Sequence, residues 1–224
     1  MKYTLIIFLI LSGCMSNTRV NLNEDQAVTE HFNKNEIKQL QHILSFFDNE
    51  VRILSNTNGS LENSYQAFFK TINDSAWAGD PYGPVLRIPT KKLNNLFSSL
   101  SDTVKNELWV TSRYISPITK DSVADFDIRS GGKYEAFLKT LSGENKALDK
   151  YYKTFERVHG ISPSLVACLI VYSKKLNLKR ESQRLIVAIH YIAIKETSEL
   201  RKHSYKSAPK QTHQKKKLIK LSRN

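Results

Sequence analysis

The stretch Asn33-Lys-Asn-Glu-Ile-Lys-Gln-Leu-Gln-His-Ile-Leu-Ser-Phe-Phe-Asp-Asn-Glu-Val-Arg-Ile-Leu54 decides the fold class. Asn33 stands three residues before Glu36, the arrangement of a capping box, in which each side chain serves the other residue's backbone N–H at a helix start. Apolar residues follow at Ile37, Leu40, Leu44, Phe47, Val51 and Leu54, at alternating spacings of three and four. That spacing lines one face of a helix of about 20 residues. The polar cluster Ser55-Asn-Thr-Asn-Gly59 ends it. A single apolar stripe of this kind packs into a core, against further helices.

Those helices are legible downstream. Leu61, Tyr65, Phe68, Phe69 and Ile72 mark a second helix after Ser60. Thr90 caps a third through Leu93, Leu96, Phe97 and Leu100, and Ser101 or Asp102 restarts the chain as helix towards Leu108 and Trp109. Beyond an irregular stretch, Tyr134, Phe137, Leu138 and Leu141 mark a short helix. Leu148, Tyr151, Tyr152, Phe155 and Val158 mark a longer one, stopped at Gly160. Ser162-Pro163 places a cap before a proline at the first helical position, where the missing N–H costs nothing. Residues 165–172 and 185–194 are near-continuous apolar runs, the second broken only by His190. Periodicity does not separate buried strand from buried helix in such runs. Their flanks, Arg180-Glu-Ser-Gln183 and Lys195-Glu-Thr-Ser-Glu-Leu200, lack strand-ending turns and favour helix. A helix apolar all round belongs at the centre of a bundle, which makes His190 a core histidine. The expected fold is all-α, an irregular bundle of about 7–8 helices over residues 31–200.

The chain opens with Lys2, an apolar run over residues 4–11, and then Leu11-Ser12-Gly13-Cys14. A basic start, a short apolar run and small residues at a cut are the layout of a secretory signal. The run is too short to span a bilayer, which takes roughly 20 apolar residues. At all four positions Leu11-Ser12-Gly13-Cys14 resembles the lipobox of bacterial lipoproteins, and the likeness ends there. The resemblance implies removal of residues 1–13, diacylglycerol on the Cys14 thiol and acylation, such as by palmitate, of the new amino group. Two or three acyl chains hold a protein stably at a membrane, whereas one holds it marginally. Met15 rather than Asp follows the cysteine, which in enteric lipoproteins points to the outer membrane, and the uncharged residues 15–18 favour its periplasmic face. Residues 14–30 are then lipidated cysteine and linker. With Cys14 lipidated, Cys168 is the one remaining thiol; no internal disulfide forms, and its apolar neighbours predict a buried, inert side chain.

The formal charge of +13 is concentrated at the other end. Residues 201–224 hold nine Lys or Arg and no Asp or Glu, so residues 14–200 keep 24 basic against 21 acidic side chains. With few apolar residues and Pro209, the segment 201–224 reads as a disordered basic tail. Lys215, Lys216, Lys217, Lys220 and Arg223 are its candidate contacts to anionic lipid, lipopolysaccharide or peptidoglycan, each contributing about 1 kcal/mol near an anionic bilayer. An export signal removes the chain from nucleic acid, so none is expected as a partner.

Catalytic signatures are scarce. None of the six histidines has the spacing of a zinc site on one helix face, and no phosphate-cradling loop or serine elbow occurs, so no metal or cofactor is called for. Two loops are the places to look for a ligand, since binding residues concentrate on loops held by a scaffold. One, residues 74–84, carries Trp77, Asp80 and Tyr82, with Trp77 expected to plug a core gap between helices. The other, residues 113–132, carries Arg113, Asp121, Asp125, Asp127 and Arg129, and is expected to be tied by salt bridges. The expected role is a lipid-anchored, non-catalytic binding or scaffolding module. An enzyme acting on peptidoglycan or glycans through paired carboxylates is the alternative. A third possibility is a partner-binding lipoprotein of the exclusion or immunity kind that uses the stripe from Ile37 to Leu54.

Overall fold

The computed structural model describes residues 21–80, 82–117 and 120–207. The expected signal 1–13, Cys14 and the tail cations Lys215, Lys216, Lys217, Lys220 and Arg223 lie outside the described residues. The fold is all-α with one two-stranded hairpin. In order the elements are α1 (Gln26–Thr29), α2 (Lys34–Ser55), α3 (Leu61–Trp77), α4 (Gly83–Leu86), α5 (Thr90–Ser99) and α6 (Asp102–Leu108). Strands β1 (Trp109–Ile115) and β2 (Ser122–Ile128) follow, then α7 (Lys133–Ser142), α8 (Lys146–Val158), α9 (Pro163–Tyr172) and α10 (Glu181–Ser207).

Helix α2 begins as its sequence dictates. Asn33 Oδ1 accepts the N–H groups of Asn35 and Glu36, both at 3.0 Å, while Glu36 Oε2 accepts from Asn33 N at 2.8 Å. The stripe is buried from Ile37 to Val51, and Asn56 closes the helix in the left-handed conformation at φ 48°. Ser60, Ser101 and Ser162 each accept a backbone N–H in the first turn of the next helix. Thr90 does not cap α5: Pro89 holds that position, and the Thr90 hydroxyl donates instead to Glu199 at 3.0 Å.

Both apolar runs are helical, in α9 and α10, and every residue of 185–194 is buried. Helix α10 is the axis of the fold, in contact with α2, α4, α5 and β2. His190 lies there fully buried, as expected of a core histidine, with Nδ1 3.1 Å from Tyr151 Oη. Tyr191 beside it stacks on Phe47 and meets Phe68 edge to face.

Four further expectations need correction. The chain is packed from Asn21, not from about residue 31: Leu22, Ala27 and Val28 are buried, so the second half of the expected linker belongs to the body. Residues 109–128 are not an irregular loop but an antiparallel hairpin, with Trp109 opposite Ile128 and Ile115 opposite Ser122. Its β-branched and aromatic residues suit a pleated strand. The expected tail begins too early, because residues 201–207 continue α10, where Glu199 and Asp125 offset the charge of Lys202 and Arg201. Trp77 plugs nothing: it is 86% exposed. It lies five residues beyond Ile72, hence about 140° around the helix from the buried stripe of α3.

Candidate functional site

The two loops singled out in the sequence meet. Tyr82, just before α4, lines the same cleft as Asp125 and Asp127 of β2, together with Ser162 at the start of α9 and Arg201 and Lys202 of α10. The cleft encloses about 470 Å³, with Leu86, Phe126, Ile161, Pro163 and Ile194 as its apolar wall. Trp77 and Asp80, from the same segment as Tyr82, do not line it. Arg113 is exposed on β1, and Arg129 donates to the carbonyl of Asn106 at 3.0 Å, outside the cleft. Asp121 closes the hairpin, its carbonyl accepting from Ser116 N at 2.9 Å.

Strand alternation puts Asp125 and Asp127 on one face of β2. Asp125 pairs with the Arg201 guanidinium at 3.2 Å, which bears out a salt bridge but with a partner outside the loop. Asp127 Oδ1 accepts two backbone N–H groups, from Ile161 at 2.6 Å and Ile128 at 2.7 Å. The carboxylate thus fastens the turn before α9 onto the hairpin. Gly160 makes this approach possible, since a Cβ there would lie 2.3 Å from Asp127 Oδ2. Burial pushes the Asp127 carboxyl above its ordinary value and the charge of Asp125 adds to the rise, while the two N–H groups and Arg201 oppose it.

The floor of the cleft is held from α10. Thr197 Oγ1 accepts from Phe126 N at 3.3 Å and donates to the carbonyl of the same residue, so one hydroxyl stands in for a neighbouring strand. Below it, buried Lys195 donates to Glu199 at 2.7 Å and to the carbonyl of Leu86 at 3.0 Å. Burial alone would raise the Glu199 carboxyl, but hydrogen bonds from Lys195, Lys202 and Thr90 outweigh it and bring it down to about 2. Replacing Thr197 by valine keeps the shape and removes both bonds to Phe126, at an expected cost of about 1–3 kcal/mol. Amide exchange should quicken over residues 122–128 and stay slow over 40–51. Unchanged exchange in β2 would mean that the threonine does not hold the hairpin.

Other chemistry is sparse. Among the described residues no group of three or more His, Cys, Asp or Glu side chains is placed to hold a metal ion. Cys168 is buried, and burial pushes its thiol up, away from the reactive thiolate. Of the residues that line the cleft, Arg201 and Lys202 fall by composition within the tail, while Thr197 and Ser162 carry only helix-flank and cap signals; nothing in a single sequence links Asp125 to a residue 76 positions away. No known protein family, characterised protein or solved structure matches this chain.

Proposed function

We propose that this chain is a lipid-anchored, non-catalytic binding module of a bacterial envelope, held by acylated Cys14 at the periplasmic face of the outer membrane. Its ligand enters the cleft between β2, the start of α9 and the end of α10. The observation that carries this reading is the convergence of Tyr82, Asp125 and Arg201 on one concave surface with an apolar wall. Such a lining, an apolar body with a few placed polar groups and a volume of several hundred Å³, is the ordinary make-up of a small-ligand site. Leu22 is buried in the body, so only residues 14–20 separate it from the lipid. Fully extended, seven residues reach about 25 Å, which keeps the first packed segment of the body close to the bilayer. The six cations of residues 208–224 contact anionic lipid, lipopolysaccharide or peptidoglycan.

The test compares the full chain, a chain ending at Ser207 and an Arg201→Ala variant for binding to peptidoglycan sacculi, lipopolysaccharide and anionic vesicles across a salt series. The cut is placed after Ser207 because Arg201 and Lys202 are ion-paired within α10. Truncation should weaken binding at least tenfold at low salt and make little difference at high salt, where the Debye length falls to about 3 Å. Arg201→Ala should weaken whatever salt-insensitive binding remains. Equal binding by full and truncated chains at every salt rejects the tail's role, and no binding by any chain rejects the module.

One observation favours a second reading, an enzyme acting on peptidoglycan or glycans: Asp127 has a raised pKa beside the ion-paired Asp125 in the same cleft. Against it, the two carboxylates stand side by side on one strand, roughly 6.6 Å apart along the backbone, rather than on opposite sides of a bound sugar. Soluble fragments released from sacculi by the wild type and not by Asp127→Asn would promote it. Partner binding through the Ile37–Leu54 stripe is set aside, because Ile37, Leu40, Leu44, Phe47 and Val51 are buried in the monomer.

A further inference from the structure

The two edges of the hairpin differ. Ser116 N donates to the carbonyl of Asp121, and Arg129 N to that of Leu108, both at 2.9 Å. Hydrogen-bonded pairs alternate along an antiparallel ladder, so Val110, Ser112 and Tyr114 turn their backbone groups towards β2. Thr111, Arg113 and Ile115 turn theirs outward. On β2 the same parity turns Phe126 and Ile128 outward, and there Thr197 engages Phe126 and the Asp127 carboxylate takes the N–H of Ile128. The β2 edge is therefore covered over Phe126–Ile128. On β1 no described residue takes up the outward groups of Thr111, Arg113 and Ile115, and six of its seven residues are exposed. Exposed apolar side chains flank this edge, with Val110 at 41%, Tyr114 at 44% and Ile115 at 64%. A free edge is a template for another strand, and proteins usually blunt it with proline, bulges or several charges. β1 has no proline and a single charge, Arg113.

The geometry points to a second copy of this chain as the occupant, with β1 pairing antiparallel to β1 about a two-fold axis at Ser112. In that register Thr111 of one copy opposes Arg113 of the other, and these are the residues whose N–H and C=O groups face outward. Their backbones exchange four hydrogen bonds across the interface. Val110 of each copy opposes Tyr114 of the other, a β-branched and aromatic pair of the kind that stabilises sheets. Arg113 is directly opposed by Thr111, and its own copy lies only diagonally across, about 7–8 Å away. The pairing makes a continuous four-stranded sheet and sets Tyr114 of the second copy next to Val110, which lies directly opposite Asp127 on the same sheet face. Unlike an arbitrary extended peptide, the strand already carries a complement to its own pattern.

Cysteine trapping in the purified full chain tests this. Residues opposed in a non-hydrogen-bonded pair have Cα atoms about 4.5 Å apart, within the 4.4–6.8 Å range of a disulfide. Ser112→Cys, opposite itself across the axis, should run mainly as a covalent dimer after mild oxidation. The double variant Val110→Cys, Tyr114→Cys should do the same, whereas Val110→Cys alone should not, because its copies lie about 13 Å apart along the strands. Wild type controls for the native cysteines, and Ile53→Cys, an exposed site elsewhere, for random collision. In parallel, sedimentation of the wild type should show concentration-dependent dimer. Thr111→Pro, which removes an outward N–H only, should shift it to monomer with little change in melting temperature. Ser112→Cys dimer no stronger than the Ile53→Cys control overturns the proposal, and strong trapping of Val110→Cys alone overturns the register.

Discussion

Replacing Asp25 with alanine is expected to destabilise the whole body by about 3–5 kcal/mol, the usual cost of removing one partner of a buried ion pair. Asp25 is fully buried and receives both the Nε and an Nη of Arg180, at 2.6 and 2.7 Å. Its Oδ1 also caps α1, accepting from Ala27 N at 3.1 Å. Burial would by itself raise this carboxyl, yet the hydrogen bonds and charge of the Arg180 guanidinium and the Ala27 N–H bring it below its ordinary value. The pair stitches the first packed segment to the start of α10, where Leu22 N also donates to Glu181 at 3.0 Å. Alanine would leave the guanidinium with Glu144 alone, and the body's N-terminal strap would lose its strongest tie. In a body of nearly 190 residues, each kcal/mol moves the melting temperature by about 2–4 °C, so a fall of about 6–20 °C is expected. Asp25→Asn keeps the cap and should lose less. The double variant Asp25→Ala, Arg180→Ala should cost no more than Asp25→Ala, since no unpaired charge is then left buried. A loss under about 1 kcal/mol in Asp25→Ala would show that the strap is held by its apolar contacts.

How much of this was legible in the sequence depends on where the information sits. The capping box at Asn33, the cap at Ser162 and the stripe of α2 are local patterns, and each forms as read. The hairpin was hidden because β1 is exposed at six of its seven positions, so it shows no alternation of apolar and polar residues. The start of the body was hidden because Leu22 and Val28 are isolated apolar residues whose burial depends on distant partners. Composition set the tail boundary at residue 201, but helix geometry carries α10 to Ser207, since ion pairs offset the charge of its last turns. The cleft was half legible. Tyr82, Asp125 and Asp127 were singled out by their chemistry, yet only the fold brings Arg201 to Asp125. Trp77, the most conspicuous residue of its loop, lies outside the cleft because a helix turns 100° per residue.

The second large effect is an acid destabilisation set by His190. Its ring is fully buried between Tyr151 and Tyr191, and its Nε2 has no hydrogen-bond partner among the described residues. Burial pushes its pKa down to about 3, so the folded chain holds it neutral. In the unfolded chain the ring takes a proton near the ordinary value of about 6.5. The unfolded state therefore binds the extra proton first, and stability falls as pH drops below about 6.5, by about 1.4 kcal/mol per pH unit. By pH 5 the loss should reach about 2 kcal/mol, and by pH 3 about 4–5 kcal/mol. Carboxylates act in a lower window: Asp25, Glu36 and Glu199 are held below their ordinary values, so their contribution is lost only as pH falls below about 4. Asp127, raised by burial, works in the opposite sense and gains stability in acid. The interval from pH 6.5 to 5 thus isolates the histidine. Urea midpoints measured across it should fall steadily for the wild type and stay nearly level for His190→Phe, which cannot bind the proton. Parallel slopes in the two chains would transfer the effect to the other histidines and remove the core ring as its source.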